Sequence, residues 1–77
     1  MIKVLFFAHL KEQVGTEMLE FEASGMTIER LLFKLEKEYS LPALNTIMVA
    51  VNEEFEERSY QLKAGDIVAL IPPVSGG

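Results

Sequence analysis

Hydrophobic and polar residues alternate along the chain in a pattern that predicts strands near both ends and one long helix between them. Residues 2–8 form a nearly continuous apolar run, which is typical of a strand in the middle of a sheet. The i, i+4 spacing of Leu10 and Val14 predicts one short helical turn that ends at Gly15. Apolar residues and glutamates alternate over residues 16–23, so we expect a half-exposed strand there, paired with the first.

The clearest pattern predicts a helix from Thr27 to Tyr39. Thr27 is a suitable N-cap residue, and Met26 before it is placed to pack against Leu31 inside the helix. We expect Leu41-Pro42 to terminate the helix, because proline disfavours helical geometry in the residue before it. One face is apolar and is expected to be buried. Its residues are Ile28, Leu31, Leu32, Leu35 and Tyr39.

The second half of the chain contains shorter elements. The pattern predicts a strand over residues 46–51, a turn at Asn52, and a loop or short edge strand over the charged residues 53–59. A further turn is predicted over residues 63–66, and a last apolar strand over residues 66–71. The predicted order is therefore two strands, a helix, and three more strands, of which the middle one is short.

This order predicts an α+β domain in which a mixed sheet of about five strands packs on one main helix. If the first and last strands lie side by side and parallel, the fold is a β-grasp. We predict one such domain over residues 1–73 and a flexible tail over residues 74–77 that ends in Gly-Gly.

Composition excludes several classes of function. The chain has 77 residues and no cysteine, so disulfides, thiolate metal sites and iron–sulfur ligation are excluded, and a single histidine, His9, excludes a histidine-based metal site. The net charge of −5 argues against nucleic acid as a partner, because phosphates require a basic footprint. This charge fits either a basic protein partner or a simple role in solubility. Without a long apolar run or a signal-peptide pattern, we expect a cytoplasmic protein with no membrane partner.

The residues suited to chemistry lie at the end of the chain, in the segment Pro72-Pro73-Val74-Ser75-Gly76-Gly77. The two prolines stop the preceding strand and hold the backbone extended, and the four residues beyond them reach roughly 13 Å. Gly76 and Gly77 lack Cβ atoms, so a narrow channel in a partner can admit them. Joined to AMP, the Gly77 carboxylate becomes an acyl adenylate that a sulfur donor can attack, leaving a thiocarboxylate. The alternative is a tail without function.

Short segments spread over the whole chain resemble one known family, and the Pro72–Gly77 ending is the most specific of them. The other segments are residues 1–8, Val14-Gly15-Thr16, Val49-Ala50-Val51-Asn52, Gly65-Asp66 and Val68-Ala69. Together they resemble the small subunits of molybdopterin synthase, the MoaD family of ubiquitin-like sulfur carriers.

The resemblance implies a reaction sequence for the C-terminus. Gly77 is adenylated by an E1-like, MoeB-like adenylyltransferase and converted to a thiocarboxylate with sulfur from a donor protein. Pro72, Pro73, Val74, Ser75 and Gly76 then thread into the large, MoaE-like synthase subunit. There the thiocarboxylate supplies sulfur for the dithiolene of molybdopterin, and the catalytic residues belong to the larger subunit. ATP is used by the activating partner, and no cofactor is expected on this chain.

The resemblance also implies an apolar patch on the open face of the sheet that contacts both partners, with Phe7, Phe55 and Ile71 in it. Strand alternation places Phe7 on the face opposite Val4. Phe55 lies among four glutamates, in a segment where the sequence predicts no buried helix or strand. The alternative is that Phe7 and Ile71 are ordinary core residues. Lys11 lies near the same end and either pairs with an acid of a partner or is a surface lysine without function.

Three other functions stay open from the sequence. A carrier for thiamine or another sulfur pathway has the same fold and tail, although the Pro72-Pro73 pair favours molybdopterin. A protein modifier is joined through Gly77 to lysines of target proteins. A β-grasp interaction module has the same body and an inert tail.

Overall fold

The computed structural model describes residues 1–41, 44 and 46–73, and over these residues the chain forms two helices and five strands. The order agrees with the prediction, except that the predicted helical turn is a seven-residue helix. The predicted tail, residues 74–77, lies outside the described residues. The elements are β1 (Ile2–Phe6), α1 (Ala8–Val14), β2 (Met18–Phe21), α2 (Ile28–Tyr39), β3 (Met48–Val51), β4 (Glu54–Phe55) and β5 (Ile67–Ile71).

The strands of the described residues form one mixed sheet in the order β2-β1-β5-β3-β4. The central pair, β1 and β5, is parallel, with Val4 opposite Val68, and every other pairing is antiparallel. The parallel pairing of the first and last strands confirms the predicted β-grasp topology.

The core lies between one face of this sheet and helix α2. Ile2, Val4 and Phe6 alternate along β1 and are almost completely buried. The predicted apolar face of α2 is confirmed, because Leu31 and Leu35 have no exposed surface and belong to the same cluster. Burial of each such side chain contributes about 1.5–3 kcal/mol, so α2 is held to the sheet mainly by this face.

The ends of the helices follow from local bonding. Thr27 caps α2 as predicted, since its hydroxyl accepts the Arg30 N–H at 3.2 Å. The predicted end of α2 at Tyr39 is confirmed. The helix ends at Tyr39 because Ser40 is left-handed, with φ 52°, and its N–H donates to the Glu36 carbonyl. Pro42 lies outside the described residues.

The strands are shorter than the apolar runs that predicted them. β1 ends at Phe6, because Ala8 has a positive φ of 54° that turns the chain into α1. β2 begins only at Met18, after Thr16 forms a local hydrogen bond with the Met18 backbone. β3 likewise begins at Met48, two residues later than predicted. An apolar run therefore predicts which residues are buried, whereas the position at which a strand begins or ends depends on local backbone geometry and on pairing with the adjacent strand.

Candidate functional site

The face of the sheet opposite α2 carries a shallow apolar depression of about 630 Å³. Its apolar lining comes from four strands and the residue after β1, and we call this surface the open-face patch. Its residues are Leu5, Phe7, Ala50, Phe55, Ile67, Ala69 and Ile71.

The shape of the open-face patch follows from strand register. Leu5 pairs with Ala69, Ala69 with Ala50, and Ala50 with Phe55, which makes one row across four strands. The two small alanines form the floor in the middle of the row. The larger Leu5 and Phe55 rise at its two ends, so the row is concave and suits a convex apolar partner.

The three residues predicted to contact partners lie together on this surface. Phe7 is 45% exposed, Phe55 is 65% exposed, and Ile71 is half-buried. The alternative that Phe7 is an ordinary core residue is therefore wrong. A contiguous exposed apolar patch on a small protein is typical of an interaction site.

Four members of the open-face patch were not among the predicted contact residues. They are Leu5, Ala50, Ile67 and Ala69. Two of them could have been predicted from the alternation of side chains along β5. Ile67, Ala69 and Ile71 lie on the open face, whereas Val68 and Leu70 are buried on the other. Ala50 had no such signal, since its neighbours on both sides are also apolar and its outward position depends on pairing with β5.

A tight turn forms one wall of the depression. Asn52 and Glu53 join β3 to β4, and both are left-handed, with φ values of 51° and 72°, as in a type I′ hairpin turn. The Asn52 side chain connects the turn to β5: its Oδ1 accepts the Ile67 N–H at 3.0 Å, and its Nδ2 donates to Asp66 Oδ1 at 2.9 Å.

Asp66 is a buried carboxylate beside this turn, with 6% of its surface exposed. Its second oxygen, Oδ2, accepts the Lys63 N–H at 2.8 Å and the Tyr60 hydroxyl at 3.4 Å. Burial by itself raises the pKa of Asp66, but hydrogen bonds from Lys63, Asn52 and Tyr60, with the Lys63 charge, outweigh it and hold that pKa below its usual value. The group is therefore a fully bonded anion.

Lys11 lies next to Phe7, at the rim of a depression that adjoins the open-face patch. Its ammonium group is 3.6 Å from Glu17 Oε2, and both side chains are largely exposed. An exposed ion pair of this kind contributes little to stability. The predicted contact between Lys11 and an acid of a partner stays a prediction.

The base of the C-terminal segment starts from the open-face patch. β5 ends at Ile71 as the prolines predicted, Pro72 is buried, and Pro73 is exposed. β5 therefore ends within the patch. The predicted threading residues Val74, Ser75 and Gly76, and the predicted reactive residue Gly77, lie outside the described residues.

The part of the chain that the structure describes contains neither a membrane-spanning helix nor a candidate metal site. None of its helices is long and apolar enough to cross a membrane. Nor do His, Asp and Glu side chains in these residues form a group of three that could hold a metal ion.

The sequence is similar to a known family over nearly its whole length. The ThiS family model matches residues 4–77. A molybdopterin synthase sulfur carrier subunit from Escherichia coli K12 is 40% identical, with 100% of both chains covered. A protein of the same name from Chlamydomonas reinhardtii is also 40% identical, with 99% of this chain and 98% of the relative covered.

Solved structures of similar proteins have the same fold. A putative molybdopterin converting factor subunit 1 from Pyrococcus furiosus has a TM-score of 0.81 at 25% identity, covering 95% of this chain and 97% of the other. Small archaeal modifier protein 1 from Methanosarcina acetivorans has a TM-score of 0.80 at 26% identity, covering 99% and 95%.

A third structure contains a complex. It holds subunits 1 and 2 of molybdopterin-converting factor from Helicobacter pylori 26695, and the matching chain has a TM-score of 0.66 at 26% identity, covering 99% of this chain and 97% of the other. The sequence and fold comparisons agree with the geometry of the sheet and with the resemblance of the segments. We conclude that the chain belongs to the ThiS family and has the ubiquitin-like β-grasp fold of the molybdopterin synthase sulfur carrier subunits.

Proposed function

We propose that this chain is the sulfur carrier subunit of molybdopterin synthase and that the carboxylate of Gly77 is its working group. The observation that carries the proposal is the course of β5, which runs through the open-face patch and ends at Ile71, directly before Pro72. A partner that covers the patch therefore lies where the C-terminal segment begins. The similarity to sulfur carrier subunits over the whole chain supports the same function.

The proposed chemistry takes place at one carbon atom. The Gly77 carboxylate attacks the α-phosphate of ATP on an activating partner, which releases pyrophosphate and forms an acyl adenylate. A sulfur nucleophile then attacks the carbonyl carbon, AMP leaves, and a thiocarboxylate remains. In the synthase, this sulfur is transferred to the pterin precursor, and water restores the carboxylate. The chain contains no cysteine, so the thiocarboxylate is the only sulfur nucleophile it brings.

The proposed partners are a MoaE-like large subunit, a MoeB-like adenylyltransferase and a sulfur donor protein. The Helicobacter pylori structure supports the first of them, because it holds a similar chain together with subunit 2. The open-face patch is proposed to contact the large subunit and the adenylyltransferase in turn, since one surface cannot hold both. The proposed location is the cytoplasm, where ATP is available for the first step.

A second candidate is a protein modifier joined through Gly77 to lysines of other proteins. The similarity in fold to small archaeal modifier protein 1 favours this candidate. Both candidates need an activated Gly77, so they differ only in the group that receives the acyl carbon or its sulfur.

The proposal can be tested by reconstitution. The chain, the adenylyltransferase, ATP, a sulfur source, the large subunit and the pterin precursor are combined, and molybdopterin is measured. We expect wild type to form product and a chain without Gly77 to form none, although the shortened chain still binds the large subunit through the patch. Product formation without Gly77 overturns the proposal, and lysine-linked conjugates in place of molybdopterin support the modifier.

A further inference from the structure

The position of Phe55, the most exposed member of the open-face patch, depends on the turn that precedes it. Phe55 belongs to β4, a strand of two residues at the edge of the sheet. Within the described residues, β4 pairs with β3 only, through Ala50 and Val51, and the next residue, Glu56, donates its N–H to the Val49 carbonyl at 3.0 Å. So short a strand offers little pairing of its own, and its direction is set by the turn.

The turn itself adopts a conformation that its residues do not favour. A non-glycine residue with a positive φ costs roughly 1–2 kcal/mol, and Asn52 and Glu53 both have one. Asn tolerates this region, but Glu has no such advantage. The conformation therefore needs support from outside the turn.

Three hydrogen bonds supply this support, and all of them involve Asn52. Its backbone N–H donates to the Ile67 carbonyl at 2.8 Å, and its Oδ1 accepts the Ile67 N–H at 3.0 Å. Its Nδ2 donates to Asp66 Oδ1 at 2.9 Å. The amide oxygen is therefore bonded to Ile67, the first residue of β5, and the amide nitrogen to Asp66, the residue directly before that strand.

Asp66 fixes this orientation of the amide from the other side. Its Oδ2 is bonded to the Lys63 N–H and the Tyr60 hydroxyl, which leaves Oδ1 to accept from Asn52. Each hydrogen bond in this series therefore has one possible direction: Lys63 donates to Asp66, Asn52 donates to Asp66, and Ile67 donates to Asn52.

We infer that the Asn52–Asp66 pair is a positioning device for partner binding, which holds Phe55 at the end of the concave row of the open-face patch. Neither residue acts on Gly77. They affect the affinity for the large subunit only by positioning Phe55. The turn that they hold in place sets the distance between the Phe55 ring and the two alanines in the middle of the row. The inference rests on the proposed function, in which the patch binds the large subunit.

The chemistry of the pair permits a reciprocal exchange. In Asn52→Asp, one carboxylate oxygen still accepts the Ile67 N–H, but the other faces the Asp66 carboxylate. In Asp66→Asn, an amide N–H faces either the Asn52 amide or the Lys63 N–H, so one bond is lost in both orientations. In the double variant, Asp at position 52 accepts from Asn at position 66, so the bond between the two side chains is restored in the opposite direction, and the bonds to Lys63 and Ile67 are kept.

The experiment measures the Kd for the large synthase subunit by calorimetry, with each variant below its unfolding temperature. We expect each single exchange to raise Kd at least about fivefold, and the double exchange to return it to within about twofold of wild type. The double exchange also keeps the net charge, which removes a general electrostatic explanation. Asn52→Gly keeps a residue that tolerates positive φ but removes both side-chain bonds, and it should also weaken binding.

Phe55→Ala provides the second arm. In that background, Asn52→Asp should change Kd by less than about twofold, because the ring through which the pair acts is gone. An undiminished effect in the Phe55→Ala background, or a double exchange that folds and stays weak, overturns the inference but leaves the docking surface intact. If Phe55→Ala itself leaves Kd unchanged, the proposed docking surface is wrong, and the inference that rests on it fails as well.

Discussion

At the scale of single residues, Phe55 is the most exposed side chain of the open-face patch, the surface proposed to bind partners. It is 65% exposed, so an apolar ring remains in water in the free protein. Large aromatic side chains in an apolar patch are typical of residues that dominate binding free energy. Of the four glutamates that flank it in the sequence, Glu53 lines the same depression and forms a polar edge beside it.

We expect Phe55→Ala to raise the Kd for the large synthase subunit by about 10- to 30-fold, because the ring loses its contact with the partner. The free energy of unfolding should change by less than about 0.5 kcal/mol, since the ring is mostly exposed. Phe33→Ala is the matched control: Phe33 is 49% exposed but lies on α2, and its removal should leave Kd unchanged. Equal effects of the two variants on Kd would contradict a role for the patch.

Asp66 makes the stability of the protein depend on pH. Because its pKa lies below the usual value of about 3.9, the folded state favours the anion, and this contribution is fully present above that pH. It is lost as the pH falls through the lower pKa of the folded state.

We expect Asp66→Asn to lower the free energy of unfolding by about 1–3 kcal/mol at pH 7, because a mismatched buried donor replaces an acceptor. The difference from wild type should shrink as the pH falls below about 4, where wild type loses its own contribution. Urea denaturation at pH 7 and at pH 3 measures both values, with the exposed Glu12→Gln as control. A difference that stays constant with pH would show that the carboxylate is not a favoured anion.

Residues differ in how far the sequence predicts their roles. The resemblance implied Phe7 and Phe55 as contact residues, and two local patterns agreed with it: four glutamates isolate Phe55, and strand alternation sets the face of Phe7. The role of Asn52 was only half predictable: a turn follows from its residue type, but its bonds to Asp66 and Ile67 depend on the pairing of β3 with β5. That pairing joins segments distant in the chain, which no local pattern specifies.

At the scale of elements, helices were predicted more accurately than strands. The start of α2 follows from Thr27 and from an apolar face that repeats within the helix, so the information is local. The ends of β1, β2 and β3 depend on where a neighbouring strand stops pairing, and each strand is shorter than its apolar run. Helix α1 is longer than the predicted single turn and begins at Ala8, the last residue of the run that predicted β1.

The cap of α2 offers a test at this scale. We expect Thr27→Ala to lower the free energy of unfolding by about 1 kcal/mol, because the Arg30 N–H loses the hydroxyl that accepts it. Thr27→Ser keeps an acceptor and should stay close to wild type. Binding to the large subunit should be unchanged in both variants, since the cap lies on the helix side of the sheet. Urea denaturation and calorimetry measure the two quantities, and a change in Kd with Thr27→Ala would contradict this separation of roles.

At the scale of the whole molecule, the fold brings the open-face patch and the end of β5 to one place. The central parallel pair puts β5 in the middle of the sheet, so the strand that leads to Pro72 also carries Ile67, Ala69 and Ile71 of the open-face patch. The net charge of −5 would favour encounter with a basic partner surface.

The most direct test of the proposed function is the intact mass of the chain after incubation with the adenylyltransferase, ATP and a sulfur donor. We expect the mass to rise by the difference between one sulfur and one oxygen atom, with the change confined to the C-terminal peptide that contains Gly77. A chain without Gly77 serves as the control for mass added elsewhere. An unchanged mass under conditions in which the adenylyltransferase activates a known carrier, or sulfur found away from Gly77, would contradict the proposal that the C-terminal carboxylate carries the sulfur.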